Sequence, residues 1–192
     1  MAGAAPPDVL KAIRTGGPAP SGLSDEENRA YEKLKTFFAK STAYALEMGL
    51  RPQTLYGIAD SPIGLAAWIL DHDPRSLELI SRSFDGVPEG LSPDDILDNI
   101  TLFWLTNTGI SAARLYWEFP GLPFFDVKNV SIPVAVSDFP DEIESIPRSW
   151  AERAYPKLIH YNKLDKGGHF AAWEQPQLFI EEVRAGLRSL RN

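Results

Sequence analysis

The sequence predicts an α/β chain: a helical region, then a strand–helix–strand–helix portion of a parallel sheet. Three observations carry that reading. Apolar residues recur at helical spacing through much of 24–122. Two runs read as strands, the β-branched stretch Val130-Ser131-Ile132-Pro133-Val134-Ala135-Val136 and the short apolar stretch 157–161. A helix led by Pro176 and running to about residue 190 follows the second strand. Parallel strands need neighbours and covered faces, and an exposed apolar pair would be an aggregating edge. The sequence therefore implies that part of its sheet lies outside it.

Composition removes several function classes. A length of 192 residues suits one domain with a real core and is marginal for two. A net charge of −7 argues against nucleic acid as a partner, which would need a basic face. There is no cysteine, so disulfide and thiol chemistry are excluded. That absence fits a reducing compartment, and a cytoplasmic location is expected. His72, His160 and His169 show no metal-ligand spacing, and neither a metal nor a cofactor is expected. No apolar run approaches the roughly 18 residues of a membrane span.

Along the chain, residues 1–23 are rich in Ala, Pro and Gly and read as a linker that builds no core, with one short helical piece around 8–14. Ser24 and Glu27 form a capping box. The helix it opens carries Tyr31, Leu34, Phe37, Phe38, Ala45 and Leu46, and is expected to stop near Gly49 with Tyr44 in its last turns. Asp60-Ser61-Pro62 opens a second helix over 63–71, apolar nearly all round and so expected to be buried on more than one side. A short helix is expected at 74–83. Ser92 then caps a long helical pattern, broken near 106–109 and closed by Tyr116-Trp117-Glu118 before Pro120-Gly121. Beyond the first strand come an acidic loop, 137–149, a short helix at 149–154, the second strand, and the loop Asp165-Lys166-Gly167-Gly168-His169. The final helix places Leu178, Phe179, Val183, Leu187 and Leu190 on one face.

The candidate chemistry centres on His169. A lone loop histidine commonly packs or caps. This one follows a strand at its carboxyl end, where open α/β sheets place their reactive groups. The loop after the neighbouring strand offers Asp138, Asp141, Glu142 and Glu144, any of which could accept the Nδ1–H of the ring and set its tautomer. Spacing does not choose among them. Gly109-Ile110-Ser111-Ala112-Ala113 loosely fits a nucleophile elbow, which would make Ser111 the nucleophile of a serine esterase. Its flanks are helical by pattern, whereas an elbow needs a strand before it.

From about residue 23 to residue 190 the chain resembles the lid and C-terminal half of an epoxide hydrolase of the microsomal and fungal type, on the α/β-hydrolase fold. The stretches that carry the resemblance are FFAKSTAYALEMGLRPQTL, DSPIGLAAWIL, ILDNITLFWLT, RLYWE, PRSW and KGGHFAAWEQP, in the family's order and spacing. The resemblance implies a linker-like segment at 1–23, a helical lid at 24–122 and part of the hydrolase core at 123–192. It implies conversion of an epoxide and water to a vicinal diol through an alkyl-enzyme ester. Carried over by motif, Tyr116 in RLYWE is the principal proton donor and Tyr44 in TAYALEMGLRP the second tyrosine. His169 in GGHFAA is the water-activating base, and Glu142 in PDEIESIPRSW is its acid. A phenol can donate to the strained ether while staying neutral at pH 7, and histidine supplies a base near neutrality.

The family's nucleophilic aspartate and oxyanion-hole segment precede the lid, and this sequence has no counterpart to either. Met1 is thus expected to be an internal start, and the isolated chain to be inactive or nearly so. The expected partners are a small apolar or aromatic epoxide and, across the open sheet, either the missing N-terminal half or a second copy in a homodimer. The contrasting expectation is a non-catalytic remnant that binds apolar ligands or another chain through Trp68, Trp104, Trp117 and Trp173.

Overall fold

A computed structural model describes residues 3–119 and 123–191. Its helices up to the first strand are α1 (Pro7–Thr15), α2 (Asp25–Lys40), α3 (Ala43–Leu50), α4 (Tyr56–Ala59), α5 (Pro62–Leu70), α6 (Pro74–Phe84), α7 (Pro93–Thr106), α8 (Gly109–Ala112) and α9 (Arg114–Glu118). Then come β1 (Val134–Asp138), α10 (Arg148–Ala154), β2 (Leu158–Lys163), α11 (Ala171–Glu174) and α12 (Pro176–Gly186). The chain divides into two compact units, one made of residues up to Lys40 with those from Phe124 onward, the other of Ser41 to Pro123.

In the first unit, β1 and β2 pair in parallel, from Val134 opposite Leu158 to Asp138 opposite Lys163, with an irregularity after Val134. Both strands end two residues later than the sequence pattern placed them. β1 also starts later, at Val134, because Pro133 has no N–H for the ladder and proline is tolerated at the start of a strand rather than inside one. α10 buries Trp150, Ala151 and Ala154. α12 corrects an expectation. Its apolar residues Phe179 and Val183, and Leu187 just after it, stay exposed, and Glu182 and Gly186 are the buried ones. Glu182 accepts from Ser137 Oγ, His160 Nε2 and Asn162 Nδ2 at 2.8, 3.0 and 2.7 Å, so three polar side chains from β1 and β2 bind this helix face.

The N-terminal stretch read as a linker also builds core. Ala4, Ala5, Val9, Leu10 and Ile13 are buried, Tyr155 Oη donates to Gly3 O at 3.2 Å, and Tyr31 Oη donates to Gly17 O at 2.8 Å. Composition hid this: a Pro/Gly-rich segment exposes few apolar side chains to a pattern search, yet its α1 places three of them on one face. Beneath it lies Glu144, fully buried with neither carboxyl oxygen in a regular hydrogen bond. Burial pushes that carboxyl up to about 8; the backbone amides of Ala4 and Ala5 oppose the rise, and the Glu142 and Asp138 charges add to it. The folded state therefore keeps a proton that the unfolded chain releases near 4.5. Stability is expected to fall as pH rises from about 4.5 to about 8 and to level off above, and Glu144→Gln should flatten the slope. Denaturation midpoints at about pH 5 and pH 8.5 check this. A wild-type slope that survives the substitution would assign it to other groups.

The capping box holds: Ser24 N–H donates to Glu27 Oε2 at 2.9 Å, and Glu27 N–H to Ser24 Oγ at 3.3 Å. The helix it opens does not run to Gly49. It ends at Lys40 and α3 starts afresh after Ser41-Thr42. Serine and threonine compete for backbone groups and weaken a helix interior. The two halves also serve different cores, Tyr31, Leu34 and Phe37 in the first unit and Ala45 in the second. Tyr44 is accordingly in a first turn, not a last one.

In the second unit, Leu79, Leu91, Ile96 and Ile100 form a core against which Ala66, Leu70 and Ile80 pack. Ser92 and Asp95 make a full capping box for α7, and Asn107 ends it in the left-handed conformation at φ 53°. α5 is less buried than its apolar sequence predicts: Leu65 is its one buried residue among those described, and Ile63 is 81% exposed. Trp68 and Ile69 line a cavity on the side where packing was expected.

Candidate active site

The first unit brings His169 and Glu142 together. β1 ends at Asp138 and β2 at Lys163, so both following loops leave the same edge of the sheet. The loops are tied to each other: Asp141 N–H donates to Gly167 O at 3.1 Å, and Asp141 and Gly168 form a parallel bridge. Gly167 has φ +103°, a conformation that glycine adopts without steric cost, and a Cβ there would lie 2.7 Å from Phe139 Cδ1. On this frame His169 Nδ1 donates to Glu142 Oε1 at 2.6 Å, with both side chains mostly buried. Glu142 Oε1 also accepts from Ile143 N–H at 2.7 Å. With Nδ1 as donor, the neutral ring carries its lone pair on Nε2, the tautomer of a general base.

Of the four candidate acids, Glu142 bonds the His169 ring. Asp138 instead accepts from Ile146 N–H at 3.0 Å and Ser145 Oγ at 3.2 Å, and burial raises its pKa against those hydrogen bonds. Glu144 is turned into the core, and Asp141 joins the two loops through its backbone.

The second unit brings the two tyrosines together. Tyr44 lies in the first turn of α3 and Tyr116 in α9. Gly49 lets these helices approach, since a Cβ there would be 3.2 Å from Tyr116 O. The two phenol rings meet edge to face with centroids 5.6 Å apart. Both line a largely apolar cavity of about 280 Å³ with Met48, Leu65, Trp68, Phe103 and His72.

His72 is the residue that sequence reasoning missed. Its ring centroid is 5.4 Å from that of Tyr44, and its Nδ1 bonds Asp73 Oδ2 at 2.7 Å. Asp73 also caps α6, taking the backbone amides of Arg75 and Ser76 and the Ser76 hydroxyl. Burial pushes the Asp73 carboxyl up, but the hydrogen bonds from His72 and Ser76 outweigh it and hold the acid far below the carboxylate range. The adjacent His-Asp pair was legible; its place beside Tyr44 was not.

Ser111 is not in an elbow. It sits in the four-residue α8, which follows a helix rather than a strand, and its hydroxyl donates to Thr108 O at 3.0 Å. Of the tryptophans weighed as binding residues, Trp68 lines the cavity, while Trp117 and Trp173 are exposed. Among the described residues, no cluster of His, Cys, Asp and Glu could hold a metal ion, and no helix is long and apolar enough to cross a membrane.

No protein-family model matches the chain. A Stigmatella aurantiaca protein whose name assigns it provisionally to the epoxide hydrolases is 47% identical over 171 residues, covering 88% of this chain and 38% of its own. Epoxide hydrolase 1 of Sus scrofa is 34% identical over 163 residues, covering 80% of this chain and 36% of its own. The structure of Aspergillus niger epoxide hydrolase superposes with a TM-score of 0.71 at 27% identity, over 90% of this chain and 42% of that one. Juvenile hormone epoxide hydrolase of Bombyx mori gives a TM-score of 0.72 at 25% identity, over 100% of this chain and 49% of that one. The chain spans less than half the length of each of these relatives. In sequence and in fold the chain is similar to the epoxide hydrolases, and it represents a part of their α/β-hydrolase fold.

Proposed function

We propose that this chain supplies the proton-donating and water-activating groups of an epoxide hydrolase, with the attacking carboxylate coming from sequence outside these 192 residues. The observation that carries the reading is the 2.6 Å hydrogen bond from His169 Nδ1 to Glu142 at the sheet edge. In this reading the helical unit from Ser41 to Pro123 acts as the lid. A carboxylate attacks an oxirane carbon, the C–O bond breaks, and Tyr116, assisted by Tyr44, gives its proton to the departing oxygen. The product is a hydroxyalkyl ester. His169 Nε2 then takes a proton from water while Glu142 balances the imidazolium. The hydroxide adds to the ester carbonyl, the alkoxide leaves and takes the proton from the His169 imidazolium, the freed carboxyl's proton returns to the tyrosinate, and the diol is released. The apolar walls around Tyr44 and Tyr116 favour a small apolar or aromatic epoxide over a charged one. Removal of such electrophiles in the cytoplasm is the role that fits.

The test is a chimera that places this chain after the N-terminal part of the Stigmatella relative. It is expected to form diol from styrene oxide, and the 192-residue chain alone is expected to form none. In the chimera, Tyr116→Phe is expected to slow ester formation about 100-fold and to leave ester hydrolysis nearly unchanged. Single-turnover kinetics separate the two steps. A folded chimera that binds styrene oxide without turnover, insensitive to Tyr116→Phe, would favour the non-catalytic apolar binder. Turnover by the chain alone that His169→Ala abolishes would overturn an outside nucleophile.

A further inference from the structure

We infer that Glu174 is a positioning residue for the His169 imidazole. Glu174 closes α11, and only 7% of it is exposed. Its carboxylate turns back over the preceding loop. Oε2 accepts the Gly168 N–H at 2.7 Å, and Oε1 accepts the Phe170 N–H at 3.0 Å. Those two amides lie immediately before and after His169. One carboxylate thus pins the peptide plane that follows His169 and the one that precedes Gly168, and so restrains the backbone that sets the direction of the His169 Cα–Cβ bond.

The loop needs such a clamp. Gly167 at φ +103° makes the turn, but glycine also leaves the unfolded alternatives open. Gly168 is packed tightly: a Cβ there would lie 3.2 Å from Glu174 Oε2 and 3.3 Å from Asp141 Cβ. The same short stretch therefore touches Glu174 on one side and the Glu142-bearing loop on the other. A hydrogen bond of 2.6 Å, as from His169 to Glu142, is short and sensitive to displacements of a few tenths of an ångström. Glu174 contacts neither the ring nor any reacting atom, so it acts through the loop. The inference depends on reading His169 as the base only for its consequence, not for its geometry.

Proton NMR of the full 192-residue chain tests it, with His160, whose Nε2 bonds Glu182 at 3.0 Å, as internal reference. In Glu174→Gln one oxygen acceptor becomes an amide donor facing a backbone N–H. The Nδ1–H resonance of His169 is expected to move upfield or broaden away while the His160 resonance stays in place. The Gly168 and Phe170 amides are expected to exchange at least about tenfold faster. A role in stability alone would shift the melting temperature and leave the His169 resonance where it was. A folded Glu174→Gln protein with that resonance and both exchange rates unchanged overturns the inference. Should the variant not fold, wild-type exchange decides: Gly168 and Phe170 protected like the α11 amides supports the clamp, and rates typical of an open loop overturn it. No epoxide enters these measurements, so failure of the clamp and failure of the epoxide reading are separate results.

Discussion

In the chimera, His169→Ala is expected to cut diol release about 1000-fold or more and to leave the protein alkylated. Intact-mass measurement after exposure to styrene oxide should show a gain of one epoxide per chain. The reasoning separates two half-reactions. Ring opening needs a carboxylate and a proton donor, and the tyrosines proposed to supply the proton lie in a different unit from His169. Ester hydrolysis needs a base, and the neutral tautomer with its lone pair on Nε2 is the one that the bond to Glu142 imposes. Without the ring the first half proceeds and the second stalls. Glu142→Gln should stall at the same ester with a smaller loss, because an amide oxygen can still accept from Nδ1 but cannot balance an imidazolium. Lost turnover with no mass gain would place His169 before ester formation and contradict the assignment.

Trp150→Ala is expected to cost about 3–5 kcal/mol of stability, read from the guanidinium midpoint by far-UV circular dichroism. Trp150 has no exposed surface, and α10, which carries it, begins after the equally buried Pro147. Removing an indole from such a site leaves a cavity that the neighbouring helix backbone cannot fill. Against a typical total of about 5–15 kcal/mol, the loss is large. Trp150 Nε1 has no hydrogen-bond partner, so Trp150→Phe should cost much less: it keeps most of the volume and removes an unsatisfied buried donor. An alanine variant within about 1 kcal/mol of wild type would mean that the site collapses freely.

Local signals in the chain were reliable wherever a feature is held by residues close in sequence. The Ser24–Glu27 and Ser92–Asp95 boxes, the break near Asn107 and the glycine turn before His169 all formed where their residues stand, because each rests on hydrogen bonds or dihedrals within a few positions. The His169–Glu142 and Tyr44–Tyr116 pairings were named from the motif resemblance, since spacing alone left four acids open. Face and boundary assignments fared worse. The break at Ser41-Thr42, the exposed apolar residues of α12 and the half-open α5 depend on what each surface meets, which periodicity does not contain.

What the sequence determined by itself is the order of elements, the helix ends with their own caps, and the residue types able to do the chemistry. Tertiary structure alone decided that a Pro/Gly-rich N-terminus is core, that Glu182 rather than the apolar stripe of α12 is bound to the sheet's side chains, that His72 stands beside Tyr44, and that Glu174 holds the amides around His169. The physical reason is one of range: caps and turns are satisfied by neighbours in the chain, whereas burial and long-range hydrogen bonds are settled only when distant segments compete for the same surface.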